Sequence, residues 1–113
     1  MTYAVVLQRL AISDLQAYFD YSAQHSRTDA EQWVKRFRAA IQTLGERPER
    51  CSMAWENGKV EVELREFLFG SRPYVFRVIF TLDDMTVRVL RIRRSNRRRL
   101  SRDELREAIS DLE

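Results

Sequence analysis

Apolar and polar side chains alternate in four segments of the chain, which is the period of a strand with one buried face. These segments are residues 3–7, 60–64, 74–82 and 86–92. In residues 74–82 both sets of alternating positions are rich in large apolar or β-branched side chains, so we expect this strand to be central in a sheet. Asp83 and Asp84 then supply a tight turn that pairs it with the last strand.

Between the first two strands, apolar residues recur at helical spacing and predict two helices. Ser13 has the side chain of an N-cap for the first helix, which fades near His25. Thr28 and Glu31 have the spacing of a capping box for the second helix. Gly45 supplies its stop. Two helices joined by a short connection predict an antiparallel helical hairpin.

Ser101 and Glu104 form a second capping box before a short amphipathic C-terminal helix. The predicted order is therefore strand, helical hairpin, three strands and helix. Consecutive antiparallel strands usually pair, so the last three strands form a meander that joins the N-terminal strand in one sheet. The sequence thus predicts an α+β fold in which the hairpin packs on one face of the sheet, as a single domain over residues 1–113.

The bulk composition restricts where the protein works and what holds it together. A chain of 113 residues buries one modest core without disulfide or metal staples, and Cys51 is its only cysteine. No window long enough to span a bilayer is free of charges, and the first residues lack the pattern of a secretory signal. We therefore expect a cytoplasmic protein with no membrane partner and no metal or organic cofactor.

Positive charge is concentrated near the end of the chain. The net charge is only +3, but residues 88–102 hold eight arginines and no acidic residue. Guanidinium groups suit phosphate and carboxylate contacts, so this cluster favours an anionic partner. Three interpretations stay open: a solvated face, contacts with nucleic-acid phosphate, and contacts with acidic residues of a protein partner.

Several segments, taken in order, resemble the toxins of the RelE/ParE superfamily. They are Ser13-Asp14-Leu15 to Tyr21 before the Trp-bearing second helix, the Pro48–Cys51 turn, Leu64-Arg65-Glu66, the strand 76–80 and the strand 87–93. The resemblance covers residues 3–99. It implies a growth-inhibiting toxin of a type II toxin-antitoxin system, neutralised by an antitoxin whose disordered segment folds around it. ParE-like members act on DNA gyrase, whereas RelE-like members cleave messenger RNA on the ribosome.

The nuclease alternative makes specific demands on side chains. Cleavage by a 2′-hydroxyl needs a base, and cations for the charge that grows on phosphate. By the resemblance Arg77, Arg93 and Arg94 are the candidate catalytic residues, but RelE-like lysines are replaced by Glu61 and Glu63. Either glutamate is a candidate substitute base, and a cross-strand ion pair with Arg77 is the structural alternative.

The C-terminal part also lacks a group that RelE-like enzymes carry. The resemblance implies a functional tyrosine or histidine near the end, and no such residue follows Tyr74. We therefore expect DNA gyrase as target. The messenger-RNA endoribonuclease is the alternative, and an inactive nucleic-acid-binding or interaction module is a third hypothesis.

Binding of the antitoxin or the target is assigned to the arginine cluster. The candidates are Arg91, Arg93, Arg94, Arg97, Arg98 and Arg99. The first three lie on or just after the predicted last strand, so they are held more rigidly than the others. An antitoxin strand or helix could dock at the sheet edge or in a groove beside the helical hairpin.

Overall fold

The computed structural model describes residues 2–112, and their elements follow the predicted order. The strands are β1 (Ala4–Leu7), β2 (Arg65–Ser71), β3 (Tyr74–Asp83) and β4 (Thr86–Arg94). The α-helices are α1 (Arg9–Ala23), α2 (Arg27–Gln42) and α3 (Arg102–Ile109). Short 3₁₀ turns occupy Thr43–Gly45, Pro48–Arg50 and Ser110–Leu112. The predicted α+β fold with an N-terminal strand, a helical hairpin and a C-terminal helix is confirmed.

The four strands form one mixed sheet in the order β1-β4-β3-β2. The last three strands are antiparallel neighbours, while β1 lies parallel to β4 at the opposite edge. The prediction that residues 74–82 form a central strand is confirmed, because β3 pairs with a strand on each side. Residues 54–64 and α3 cover one face of this sheet, and the helical hairpin covers the other.

Each face of the sheet carries its own hydrophobic core. The hairpin-side core includes Phe37 of α2 together with Phe76, Val78 and Phe80 of β3. In the core on the other face, Ile79 packs with the loop between α2 and β2 and with α3. Because successive strand residues point to opposite faces, Arg77 lies on the face that is covered by α3.

A register shift in the β3–β4 pairing places Ile92 on the opposite face of the sheet from the one that the sequence pattern predicts. Ile79 pairs with Arg91 and Phe80 pairs with Val89, so Leu90 is an extra residue on β4. Strict alternation predicts Ile92 on the same face as Leu90. The bulge instead places Ile92 in the hairpin-side core and Leu90 in the core beside α3.

The predicted strand at residues 60–64 is wrong, because the strand begins only at Arg65. The backbone of Leu64 is engaged within the loop: its N–H donates to the side chain of Asn57 at 3.0 Å, and its carbonyl accepts from the N–H of Ala54 at 2.8 Å. Val60 and Val62 pack on the core beside α3. The alternation of apolar and polar residues at 60–64 therefore reflects the burial of one side of a loop and not the pairing of a strand.

Both predicted starts of the hairpin helices are also corrected. The N-cap of α1 is Gln8, without a side-chain cap, so Ser13 lies inside the helix. The N-cap of α2 is Ser26, whose hydroxyl accepts from the N–H of Asp29 at 3.2 Å. Thr28 and Glu31 lie within α2. The residue that caps the N-terminus of α2 is therefore Ser26, two residues before the predicted Thr28.

The start of α3 agrees with the prediction. The Ser101 hydroxyl accepts from the Glu104 N–H at 3.2 Å, and the Glu104 carboxylate accepts from the Ser101 N–H at 2.9 Å. This is a complete capping box. Within residues 2–112, no helix has the length and apolar character needed to cross a membrane.

We predict unequal costs for alanine at two glycines that both have positive φ. In Gly70→Ala the new Cβ would collide with the Tyr74 carbonyl oxygen inside the β2–β3 hairpin, whereas Gly58 has φ +100° and open space around the same position. Gly70→Ala should lower the free energy of unfolding by about 2–4 kcal/mol. Gly58→Ala should cost only the backbone strain, about 1–2 kcal/mol. Urea titration measures both, and equal costs would contradict the steric argument.

Candidate functional site

Arg77 is engaged in a buried ion-pair network and not by the partners that the sequence suggested. Its Nε donates to Glu66 at 2.9 Å, and its two terminal nitrogens donate to Glu56 at 3.1 and 2.6 Å. Arg77 is 8% exposed, and Glu56 is 0% exposed. Glu56 also accepts the backbone N–H of Leu100 at 2.9 Å. The carboxylate therefore joins the loop, the sheet and the segment that leads into α3.

Both partners of this buried pair remain charged. Burial raises the pKa of Glu56, but the hydrogen bonds from Arg77 and from the backbone of Leu100 lower it by more, so its pKa lies below the ordinary value. Burial likewise lowers the pKa of Arg77, and its bonds to Glu56 and Glu66 reverse that effect. The pair is a permanent buried contact at neutral pH.

Glu61 and Glu63 do not meet Arg77, so the expected ion pair with one of these two glutamates is wrong, and the cross-strand partner of Arg77 is instead Glu66 of β2. Both are exposed in the loop before β2. Glu63 binds Arg65 at 3.2 Å, and Glu61 borders a depression beside α3 together with Arg106. The reason is the displaced strand start, which leaves residues 60–64 out of the β3 ladder. Neither glutamate is placed to act as a base beside Arg77.

Arg91 anchors the helical hairpin to the sheet. Its guanidinium donates to the two carboxylate oxygens of Asp14 at 2.8 and 3.0 Å, and one of these oxygens also accepts the Ile92 N–H at 2.9 Å. The bond to Asp14 raises the pKa of Arg91 despite its burial. A paired, half-buried arginine that holds α1 to β4 has a structural role.

Arg93 and Arg98 share one carboxylate at the start of α3. Arg98 donates to Glu104 at 2.7 and 3.3 Å, and Arg93 donates to it at 3.2 Å. The bond from Arg98, with those from Ser101 and Arg93, lowers the pKa of Glu104 to about 2. The capping box and the arginine cluster therefore stabilise the same charge.

Arg94 lies beside an aromatic groove and has an unsatisfied donor. Its guanidinium carbon lies 5.3 Å from the ring centre of Tyr74, and its Nε is buried without a hydrogen-bond partner among the described residues. The groove has a volume of about 620 Å³, and we call it the hairpin groove. It is lined by Ala17, Tyr18, Tyr21, Ser22, Trp33, Tyr74, Phe76, Arg94 and Arg97. Aromatic walls with one unsatisfied guanidinium suit a partner that is apolar and carries a carboxylate.

Arg97 and Arg99 border a second, smaller depression of about 240 Å³ on the α3 side of the sheet. Trp55, Glu66, Leu68, Arg77 and Ser95 also line it. The guanidinium carbon of Arg99 lies 4.3 Å from the ring centre of Trp55, and the Lys59 Nζ lies 4.5 Å from the same centre. Arg97 borders the hairpin groove as well. The arginine cluster is thus divided between ion pairs inside the fold and two depressions at its surface.

Sequence reasoning missed three residues that shape these sites: Glu56, Trp55 and Tyr18. Tyr18 lies in α1, and no sequence pattern links it to the last strand. Its hydroxyl nevertheless accepts the Arg94 backbone N–H at 3.2 Å. Glu56 and Trp55 lie in a loop without periodicity, where local patterns predict exposure. His25 is an exposed residue after α1, and its ring lies against Tyr21.

We predict that Glu104 contributes stability that disappears in acid. Its folded-state pKa of about 2 lies below the ordinary value of 4.5, so the native protein binds fewer protons over that interval. The contribution is complete above pH 4.5 and decreases as the pH falls towards 2. Thermal melting of the wild type and Glu104→Gln across this range should show a smaller loss in the variant. Parallel curves would contradict this role.

Comparison with known proteins adds family information to this geometry. A family model described as the ParE toxin of the type II toxin-antitoxin system parDE matches residues 5–99. No individually curated protein sequence matches the chain significantly. A solved structure, described as the chromosomal ParDE toxin-antitoxin system from P. aeruginosa, matches with a TM-score of 0.63 and 19% sequence identity, and the match covers 82% of this chain and 96% of that chain.

The structural match supports the fold of this chain, and the family model supports its membership of a family. The matched region runs from the second residue of β1 to Arg99, so it includes the other three strands, the helical hairpin and every residue that lines the hairpin groove or the depression beside Trp55. The RelE/ParE resemblance seen in the sequence is confirmed. The chain belongs to the ParE toxin family of type II toxin-antitoxin systems.

Proposed function

We propose that this ParE-type toxin inhibits growth in the cytoplasm by acting on DNA gyrase, and that a cognate antitoxin neutralises it by occupying the hairpin groove. The observation that carries the gyrase proposal is the ion-pair network at Arg77. A guanidinium bound to Glu56 and Glu66 is not offered to a scissile phosphate. Of the other two candidates of the nuclease alternative, Arg93 is bound to Glu104, and Arg94 lines the hairpin groove and not the depression beside Arg77.

The surroundings of Arg77 also lack the groups for RNA cleavage. Such cleavage needs a base near the 2′-hydroxyl and a proton donor for the leaving oxygen. Among residues 2–112, no histidine or tyrosine lines the depression beside Arg77, and the one carboxylate in its lining, Glu66, is bound to Arg77. An action on gyrase requires a binding surface and not this chemistry, which favours the ParE-like target over ribosome-bound messenger RNA.

The hairpin groove supports the antitoxin part of the proposal. Tyr21 and Tyr74 on its rim are each 65% exposed, which is costly for a surface that stays uncovered. Arg94 offers a charge-assisted bond to a carboxylate. An amphipathic antitoxin segment with an acidic residue would cover the aromatic side chains and bind the Arg94 guanidinium at once.

We predict that the purified toxin inhibits DNA supercoiling by gyrase and leaves messenger RNA intact in a translation extract. In cells that express it from an inducible promoter, pulse labelling should show DNA synthesis falling before protein synthesis. Transcript cleavage with early translation arrest would establish the nuclease alternative. Normal growth and normal supercoiling, with a folded protein, would support the inactive binding module.

A paired substitution separates a catalytic Arg77 from a structural one. Arg77→Ala alone leaves the Glu56 charge buried without a partner, at a cost of about 3–5 kcal/mol, so lost activity would report misfolding. Glu56→Gln with Arg77→Met removes both charges together. We expect this double variant, compared per folded molecule, to inhibit gyrase as the wild type does. A double variant that is folded but inactive would show that Arg77 is needed for activity and is not merely structural.

We predict that Arg94→Met weakens antitoxin binding at least about ten-fold, because the methionine keeps contact with Tyr74 but cannot bind a carboxylate. Arg102→Ala, an exposed arginine on α3, is the matched control and should leave the affinity unchanged. Calorimetric titration with the co-expressed antitoxin measures both. Equal effects of the two substitutions would place the antitoxin elsewhere.

A further inference from the structure

Trp55 lies in the loop between α2 and β2 and is 56% exposed, an unusual position for a large aromatic side chain. Arg99 and Lys59 are both held against its ring, at 4.3 and 4.5 Å from the ring centre. Lys59 also donates to the Leu100 carbonyl at 3.3 Å. The ring attracts both cations through its quadrupole but carries no charge, so neither cation is neutralised.

Several other arginines of residues 88–102 differ from Arg99, because their charge is neutralised by a carboxylate. Within the described chain, four of the eight have carboxylate partners: Arg88 with Asp83, Arg91 with Asp14, and Arg93 and Arg98 with Glu104. Arg97 and Arg99 have no such ion pair within residues 2–112, and they flank the Trp55 ring and its depression. Glu66 also lines the depression, but its carboxylate is bound to Arg77 at 2.8 Å. Arg94 in the hairpin groove and Arg102 at the start of α3 also lack a carboxylate partner within residues 2–112. What distinguishes the surroundings of Trp55 is that three cations without such a partner, Arg97, Arg99 and Lys59, lie together there.

We propose that Trp55, Lys59, Arg97 and Arg99, here called the Trp55 surface, bind the phosphate backbone of nucleic acid without regard to sequence. Arg99 and Lys59 contact one ring, so their charges are no farther apart than the two contact distances combined. They can therefore neutralise phosphates within one short stretch of a strand, where successive phosphates follow each other at about 3.4 Å along the axis. Stacking on Trp55 restricts both side chains before the ligand arrives, which reduces the entropy lost on binding.

Two features favour nucleic acid over other anions. The depression, at about 240 Å³, is smaller than the pockets of roughly 300–1,000 Å³ that enclose small molecules, so a free phosphometabolite would be held only at its surface. A protein partner would need apolar or aromatic anchors in a pocket. Five aromatic side chains line the hairpin groove on the other side of the sheet, whereas the depression beside Trp55 has one aromatic ring and Leu68 next to its cations. An extended polyanion fits such a surface.

The test measures binding of a short fluorescein-labelled DNA duplex to the purified toxin by anisotropy over a series of salt concentrations. We expect binding that weakens linearly in log affinity against log salt. Arg97→Gln with Arg99→Gln should lower the affinity at least about ten-fold at low salt and reduce the salt slope by roughly 2, because two phosphate contacts are lost. An RNA duplex of the same sequence should respond in the same way.

The matched control removes two arginines from the hairpin side that are exposed, as Arg97 and Arg99 are. Arg36→Gln with Arg38→Gln takes the same charge from α2, and we expect affinity and slope to stay near those of the wild type. If this pair weakens binding as much as the Arg97 and Arg99 pair, the attraction is diffuse and the proposal is overturned. Thermal melting verifies that each variant is folded.

Trp55→Ala tests the ring itself. It keeps every charge, so the salt slope should be retained while the affinity falls several-fold, and Trp55→Phe should recover part of the loss because a phenyl ring still attracts cations. Unchanged affinity in Trp55→Ala would overturn the role of the ring. Polyglutamate is the competing polyanion. If it binds the Trp55 surface and the duplexes do not, the surface serves an acidic polypeptide and the nucleic-acid proposal is overturned.

Discussion

Glu56 carries a full negative charge in the interior of the protein, and a buried charge must be neutralised and hydrogen-bonded or the fold is destabilised by several kcal/mol. It meets this condition only when Arg77 of β3 and the backbone N–H of Leu100 are both in place. One carboxylate therefore fixes the relative positions of the long loop, the central strand and the segment before α3. The core between these parts, with Leu64 and Leu105 fully buried, is assembled around it.

The same contact determines where the surface groups lie. Trp55 precedes Glu56 in the chain and Arg99 precedes Leu100, so fixing the two inner residues places the two outer ones side by side. Across the cluster, acidic residues of α1, of α3 and at the end of β3 bind the arginines that β4 and its continuation present. The fold uses some guanidinium groups as internal connections and leaves others at the surface for a partner.

The sequence predicted what depends on strong local patterns and missed what depends on tertiary contacts. Residues 74–82 alternate over a long stretch, and Ser101 with Glu104 is a complete motif, so both were confirmed. Residues 60–64 alternate because they lie against α3, which no local pattern reveals. Arg77 has two partners, Glu56, which lies 21 positions away in an aperiodic loop, and Glu66, which lies 11 positions away on β2. No local pattern reveals the first, and the misplaced start of β2 favoured Glu61 and Glu63 over the second. The bulge at Leu90 likewise follows from packing on both faces of the sheet.

Arg97 borders both the hairpin groove and the depression beside Trp55. A single guanidinium cannot be fully engaged on both sides of the sheet at once, so the two depressions are thermodynamically linked. A ligand that draws Arg97 towards one of them lowers the affinity of the other, and reciprocity requires the second ligand to disfavour the first by the same factor. Two occupants that never touch would thus compete through one flexible side chain, with no change in the rest of the fold.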